Sequence, residues 1–355
     1  MRVPLLDALR GSAILLVLVS HVSLQTPTPF AGGVFGVDLS FFVSGFCLML
    51  VYMQHAFEGK PFQSWGLFAS RRAWKIVPSY YLALLPLALW FPFEARSGIT
   101  RLNDVLLHLS FLYPFDAASY FSLNGNYWSL GVEVLFYAIF PLYVLAFLRW
   151  PWIASGILAL AGAIYVTIVS RLALSGEVWS FGMPAYLPLF ACGACSSYVY
   201  ARWIRAGSSL WFRSVMTLGS VAALGALVVE MVRIQHENQG LGIWIWDLHH
   251  RFEIAAIFTG ITLCALAGLP HWHAAIANPV LRFYADISYN MYLWNAPIIA
   301  FLAIYWKTPP FVPLLVVTSA LVTAVALAIH RGFELPLMRF GGKLARARPA
   351  AAGAR

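Results

Sequence analysis

Residues 5–24 read LLDALRGSAILLVLVSHVSL, a stretch apolar enough and long enough to cross a bilayer although it contains Asp7, Arg10 and His21. An ionisable side chain at membrane depth costs on the order of 3 kcal/mol, so it faces the protein interior and is there for a reason. Arg10 and His21 are eleven positions apart. At 100° per residue that separation is about 20° past three full turns, which sets both on one helix face about 16 Å apart. Asp7 falls on the same stripe. One face therefore carries a cation near one membrane surface and an imidazole near the other, separated by roughly half the hydrocarbon thickness.

The remainder of the chain has the same character. Its 355 residues are 61% hydrophobic and 10% charged, whereas soluble domains carry about 25% charged residues. This composition excludes a soluble globular domain and predicts an all-α, polytopic integral membrane protein of about ten transmembrane helices. They fall near 5–24, 34–53, 78–93, 128–148, 152–170, 183–201, 213–232, 252–270, 284–305 and 312–330. An even number puts both termini on one side. Most of the 23 Lys and Arg residues lie in the loops of that side, which makes both termini cytoplasmic. The net charge of +9 expresses this asymmetry together with a basic tail, so no nucleic-acid partner is expected. Asp7 and Arg10 interrupt the first apolar run and no A-x-A site follows it, so the run is expected to persist as a span rather than to be cleaved.

The organisation is simple. One transmembrane domain, 1–340, is expected to precede a basic, disordered tail, 341–355. Residues 64–81, SWGLFASRRAWKIVPSYY, read as an interfacial helix with aromatic rings at headgroup depth, and DVLLHLSFLYPF (104–115) as a re-entrant or interfacial segment. Cys47, Cys192, Cys195 and Cys264 all fall within spans, so no disulfide framework is indicated. The Cys192-x-x-Cys195 pair sits among small residues in FACGACSSY and reads as a helix-packing surface.

Several polar groups lie at positions suited to chemistry. Threading the spans in and out places His21, Asp38 and Glu133 at similar depth near the outer leaflet, where a carboxylate beside an imidazole orients a general base. Arg10, Arg71, Arg72 and Lys75 form a cationic group on the opposite side, suited to phosphate oxygens. Positive-inside topology alone accounts for Arg71 but not for Arg10, which lies inside the apolar span. Glu133 and Tyr137 share one helix face at i, i+4. ISYNMYLWNAP (287–297) brings enough polar side chains into one span for a hydrogen-bonded lining or for interhelical contacts. WIWDLHHRFE (244–253) reads as an outer loop able to stack on sugars, and the histidine pairs there and in HWH (271–273) lack the partners of a metal site, so no metal is expected.

Taken in order, LDALRG with the Arg, ten residues, His spacing, GVDLSFFVSGF (36–46), RRAWKIVPSYY (71–81), WSLGVEVLFY (128–137), ISYNMYLW (287–294) and FELP (333–336) resemble membrane acyltransferase family 3. Its members are bacterial integral-membrane O-acyltransferases acting on cell-surface glycans. The resemblance implies a multi-pass protein of the inner (plasma) membrane that transfers an acyl group, most often acetyl, from cytoplasmic acyl-CoA to a hydroxyl of a carbohydrate or lipid-linked glycan acceptor. No cofactor is bound permanently; acetyl-CoA is the donor, and the bilayer is the other partner. His21 matches the family's essential histidine and Glu133 the glutamate of its Trp-Ser-Leu-x-x-Glu segment. Arg10, Arg72 and Lys75 match positions associated with the donor. Two departures are visible. Lys75 stands where the family has Arg, which loses the bidentate fork. Asn295 stands where it has His, which removes a base near neutral pH. With His21, Glu133 and Asp38 as catalytic candidates, two rival readings make different predictions. A transporter or flippase of a glycan precursor moves substrate without consuming acyl-CoA, and an inactive family member is indifferent to His21→Ala.

Overall fold

The computed structural model describes residues 3–27, 29–90, 101–172, 177–204, 209–237, 243–307 and 309–347, and every regular element among them is helical. Helix α1, Pro4–Ser23, starts with proline in its first turn, where the missing N–H has no partner to lose. A one-turn 31–33 segment leads into α2, Val34–Glu58, which stops at Gly59 in the left-handed conformation, φ +65°. Then come α3 (Trp65–Trp90), α4 (Arg101–Leu109), α5 (Tyr127–Arg149), α6 (Pro151–Arg171) and the short α7 (Glu177–Ser180). The second half holds α8 (Leu187–Arg202), α9 (Leu210–Glu237), α10 (Ile243–Ala267), α11 (Pro270–Ile276), α12 (Pro279–Tyr305), α13 (Phe311–Ile329) and α14 (Leu335–Ala347). Among the described residues nine helical stretches are long and apolar enough to cross a membrane: α1, α2, α5, α6, α9, α10, α12, α13 and the stretch Val178–Arg202 that ends in α8. The protein is a multi-pass membrane protein.

The remaining expected span, 78–93, is the C-terminal half of α3, and residues 91–93 lie outside the described residues. The interfacial segment and this span form one helix running through Pro78, and the cations of its first half keep it from being uniformly apolar. The segment 104–115 overlaps the last six residues of α4, which at nine residues is about 14 Å long and cannot span. Its Asp104 and His108 are fully buried while Leu102 and Leu106 are exposed. Burial pushes the Asp104 carboxyl up, but the contacts from His108 and Ser122 outweigh this and hold it below the usual carboxylate range. The tail is corrected in part. Residues 341–347 continue α14 as helix, with Gly341 packed against the Trp74 ring and Phe340 against its edge; 348–355 lie outside the described residues.

Close helix approach sets the register of the bundle. A Cβ on Gly11 of α1 would collide with the Leu281 carbonyl of α12, and His21 meets Asn295 further along, so α1 and α12 run parallel. Gly45 of α2 lies against Phe190 of α8, and Gly193 against Phe42, so that pair is antiparallel. Gly193 belongs to the FACGACSSY segment, whose cysteines are free. Helices α1 and α2 pack antiparallel through Gly33 against Ser20 and Gly36 against Ala13. Such small-residue contacts let dispersion substitute for the hydrophobic drive that lipid removes.

Candidate active site

Five helices converge on a cavity of about 150 Å³. Helix α1 contributes Arg10, α3 Arg72 and Lys75, and α5 Ser129, Glu133 and Tyr137; α2 adds Ser44 and Cys47, and α12 adds Ser288, Tyr289 and Tyr292. The helical pairs at i, i+3 on α3 and i, i+4 on α5 point their side chains to the same side. Three cations thus face one carboxylate across the lining.

The carboxylate is already occupied. Glu133 accepts from the Ser44 hydroxyl at 2.8 Å and from the Tyr137 hydroxyl. Among the described residues Arg10 makes only long contacts, 3.5 Å to Asp7 and 3.5 Å to the Cys47 sulfur. The Arg72 guanidinium lies over the Tyr137 ring at 5.3 Å and near Phe68 at 5.9 Å. Lys75 has no hydrogen bond or ion pair among the described residues. Burial and the like charges of Arg10 and Arg72 weigh on it more than the opposite charges of Glu133 and Glu334. Gathering three half-buried cations around one carboxylate that is already hydrogen-bonded is costly, so an arrangement like this is fitted to an anion supplied from outside. Phosphate suits it, because guanidinium and ammonium donors make charge-assisted bonds to its oxygens.

His21 stands at the far end of α1, two residues before the helix ends. Its Nδ1 is 2.7 Å from the Asn295 side-chain oxygen, which also accepts from Asn126 at 3.0 Å. Asn126 accepts at its main-chain carbonyl from the Tyr292 hydroxyl, 2.6 Å away, and the Ser129 hydroxyl donates to the same Tyr292 oxygen at 2.7 Å. Because Ser129 and Tyr292 line the cavity, a continuous hydrogen-bonded chain joins its wall to His21.

The structure brings Arg10, Arg72, Lys75 and Glu133 together, and separates both carboxylates from the histidine they were expected to orient. Glu133 lies seven residues into the bundle from Asn126, about 10 Å along α5, which places it with the cations rather than with His21. Asp38 is fully buried against Asp247 and Arg251. Arg251 donates to Asp247 at 2.8 and 3.1 Å and stacks on the Tyr186 ring at 3.7 Å. The stretch 244–253, expected as an outer loop, is the start of α10, and it buries Asp247 and Arg251 at i, i+4. Sequence reasoning missed Asn126 and this ion cluster, and it read Asn295 only as the loss of a base, not as a partner of His21. Asp247 and Arg251 had a legible signal in their helical spacing, which the surrounding Trp and His residues masked. It also left Glu334 without a role. Glu334 accepts from Asn290 at 2.6 Å and pairs with His330 at 2.8 Å in the π-helical turn between α13 and α14.

A helical membrane protein with a cation-lined cavity wired to a histidine is the class this geometry defines. The chain belongs to acyltransferase family 3, whose model, described as an acyltransferase domain, matches residues 3–331. Protein SACOL0978 of Staphylococcus aureus (strain COL) is 22% identical over 371 residues, covering 98% of this chain and 59% of that protein. O-acetyltransferase OatA of Staphylococcus aureus (strain NCTC 8325 / PS 47) is 21% identical over 360 residues, covering 96% of this chain and 58% of its own. Peptidoglycan O-acetyltransferase OatA of Listeria monocytogenes serovar 1/2a (strain ATCC BAA-679 / EGD-e) is 28% identical over 185 residues, covering 47% and 29%. The chain therefore spans about three-fifths of the first of these relatives. No solved structure matches it.

Proposed function

We propose that this protein is an O-acetyltransferase of the inner (plasma) membrane, with both termini cytoplasmic, that moves an acetyl group from cytoplasmic acetyl-CoA to a hydroxyl of a cell-envelope glycan. The observation that carries the reading is the excess of cations over carboxylate in a cavity hydrogen-bonded to His21. A cavity of about 150 Å³ is too small for a whole nucleotide-bearing thioester. Arg10, Arg72 and Lys75 would grip the CoA phosphates at its mouth, and the flexible pantetheine arm would thread inward along α1 toward His21. The distance along α1 from Arg10 to His21 is about 16 Å, within reach of such an arm.

His21 would take the proton of the acceptor hydroxyl as its oxygen attacks the thioester carbonyl carbon. The new C–O bond forms, the C–S bond breaks, and the proton passes from His21 to the departing CoA thiolate. Direct attack of this kind needs no covalent enzyme intermediate. Glu133, satisfied by Ser44 and Tyr137, would hold the Tyr137 ring beneath Arg72. An acceptor on the peptidoglycan glycan strand is favoured by the name of the Listeria relative.

The test is CoA thiol release from acetyl-CoA by membranes carrying wild-type or His21→Ala protein, with mass spectrometry of the host's surface glycans in parallel. Release confined to the wild type together with a 42 Da gain on a glycan is the expected result (about one acetyl for one hydroxyl hydrogen). Wild-type release retained by His21→Ala would sink the general-base assignment.

A further inference from the structure

Asn295 aims its carboxamide at His21 from the parallel helix α12. Its Nδ2 donates to the main-chain oxygens of Met291 and Tyr292, both at 3.0 Å. Carbonyl oxygens only accept, so this end of the amide is the nitrogen and the opposite end is the oxygen. That oxygen receives Asn126 Nδ2 at 3.0 Å and stands 2.7 Å from His21 Nδ1. Asn126 is fixed in turn, its backbone N–H donating to Asn124 Oδ1 at 2.9 Å and its carbonyl accepting from Tyr292. An amide oxygen has no proton to give, so the 2.7 Å approach is attractive only when His21 Nδ1 carries the hydrogen. Both lone pairs of the Asn295 oxygen then have donors.

We propose that Asn126 and Asn295 form a positioning clamp that holds neutral His21 in the Nδ1–H tautomer and presents Nε2 as the proton acceptor in acyl transfer. The inference rests on the reading of His21 as general base. It assigns no proton transfer to Asn295, which orients the ring as a carboxylate would but adds no negative charge. The other titratable groups at this end of the neighbouring helices are Asp38 on α2, Asp247 and Arg251 on α10, and Tyr292 on α12, with Glu133 deeper on α5 beside the cations; the ring nitrogen itself meets Asn295. The 31–33 turn and the start of α13 bring no titratable group.

Asn295→Asp converts the clamp into a charged one and gives a readout that packing alone would not move. A carboxylate beside Nδ1 stabilises the imidazolium, so the pH at which the ring becomes a free base rises by about one unit or more. The measurement is carbethoxylation of His21 by diethyl pyrocarbonate across pH, quantified by mass spectrometry of the His21 peptide. This reaction needs the free lone pair and no acyl acceptor. Asn295→Leu, which keeps the bulk and removes the oxygen, should cut the kcat of CoA release by about tenfold to a hundredfold with the KM for acetyl-CoA unchanged.

Binding of radiolabelled CoA reports that each variant is folded. Should Asn295→Asp not bind CoA, Asn126→Ala takes its place; it removes one of the two donors to the Asn295 oxygen and should lower kcat several-fold at unchanged KM. A carbethoxylation midpoint in Asn295→Asp that matches wild type, or a wild-type His21 that reacts at no pH, would overturn the clamp. So would a loss expressed in KM. These outcomes with an inactive His21→Ala leave the general-base reading standing, whereas a fully active His21→Ala removes that reading itself.

Discussion

Replacing Lys75 by methionine should make the protein more stable and a worse enzyme. Lys75 has no hydrogen bond or ion pair among the described residues, and burial and the like charges of Arg10 and Arg72 weigh on it more heavily than Glu133 and Glu334 attract it. Its removal strands no partner, because Glu133 is already satisfied by Ser44 and Tyr137 and Glu334 by Asn290 and His330. Substituting this half-buried charge by an apolar side chain of similar length should gain about 1 kcal/mol, read as a rise of a few degrees in Tm in detergent. A charge-assisted hydrogen bond to phosphate is worth about 1.5–3 kcal/mol. The KM for acetyl-CoA should therefore rise between about tenfold and 150-fold with kcat little changed, measured by CoA release from proteoliposomes. Repeating the comparison with acetyl-dephospho-CoA locates the contact, since the ratio collapses if Lys75 holds the 3′-phosphate and persists if it holds the diphosphate. An unchanged KM, or a fall in Tm, would refute the argument that this cation is kept for an anionic ligand.

Three further outcomes follow from the same structure. Asp247→Asn removes the charge that pairs with the fully buried Arg251 and should destabilise by about 3–5 kcal/mol, seen as loss of monodisperse protein in detergent gel filtration. Gly45→Val drives a side chain into the Phe190 backbone on α8 and should cost about 1–3 kcal/mol or more, whereas the same change at Gly225, which has open space beside it, should cost less than about 1 kcal/mol by Tm. Asp104 has a folded pKa held below its unfolded value, so its contribution is fully present above the unfolded carboxylate range and is lost as pH falls through the folded value. Asp104→Asn should therefore lower stability at pH 7 by about 2 kcal/mol and flatten the acid-side loss of Tm below about pH 4.

The spans were legible because lipid leaves little choice: a long apolar run with its backbone satisfied internally is a helix. Each expected span falls on helix among the described residues, the third on the second half of α3 with 91–93 outside them. What failed was counting depth from the ends of those runs. Glu133 and His21 each sit a few residues inside a span, yet α5 begins at Tyr127 and α1 ends at Ser23, and the two side chains come to rest at different levels. Each residue of error moves a group by about 1.5 Å, so a few residues exchange one hydrogen-bonding neighbour for another. Arg10, Arg72 and Lys75 were easier, since three cations need only share one side of the bundle to converge. Asn295 was misjudged for a chemical reason. An amide cannot serve as a base, and that exclusion drew attention away from its capacity to hold one.

The parallel pairing of α1 with α12 would let the two proposed sites work as one. Arg10 and His21 are fixed on a single rigid helix, and the helix beside it carries Tyr289 and Tyr292 at the cation cavity and Asn295 at the histidine. Gly11 locks the two against each other by admitting the Leu281 carbonyl where any side chain would clash. A slip of α12 by one residue would carry the Asn295 oxygen about 1.5 Å along the axis and about 100° around it, breaking its contact with His21. The same slip would displace Tyr292 from Ser129 and Asn126. The helix contact that sets the fold thus also sets the distance and orientation between the proposed donor grip and the proposed base. A substitution at Gly11 should lower the kcat of CoA release more than it raises the KM for acetyl-CoA, because two of the three proposed donor cations, Arg72 and Lys75, stand on α3, which meets α12 through Tyr289 and Ile76 rather than through Gly11.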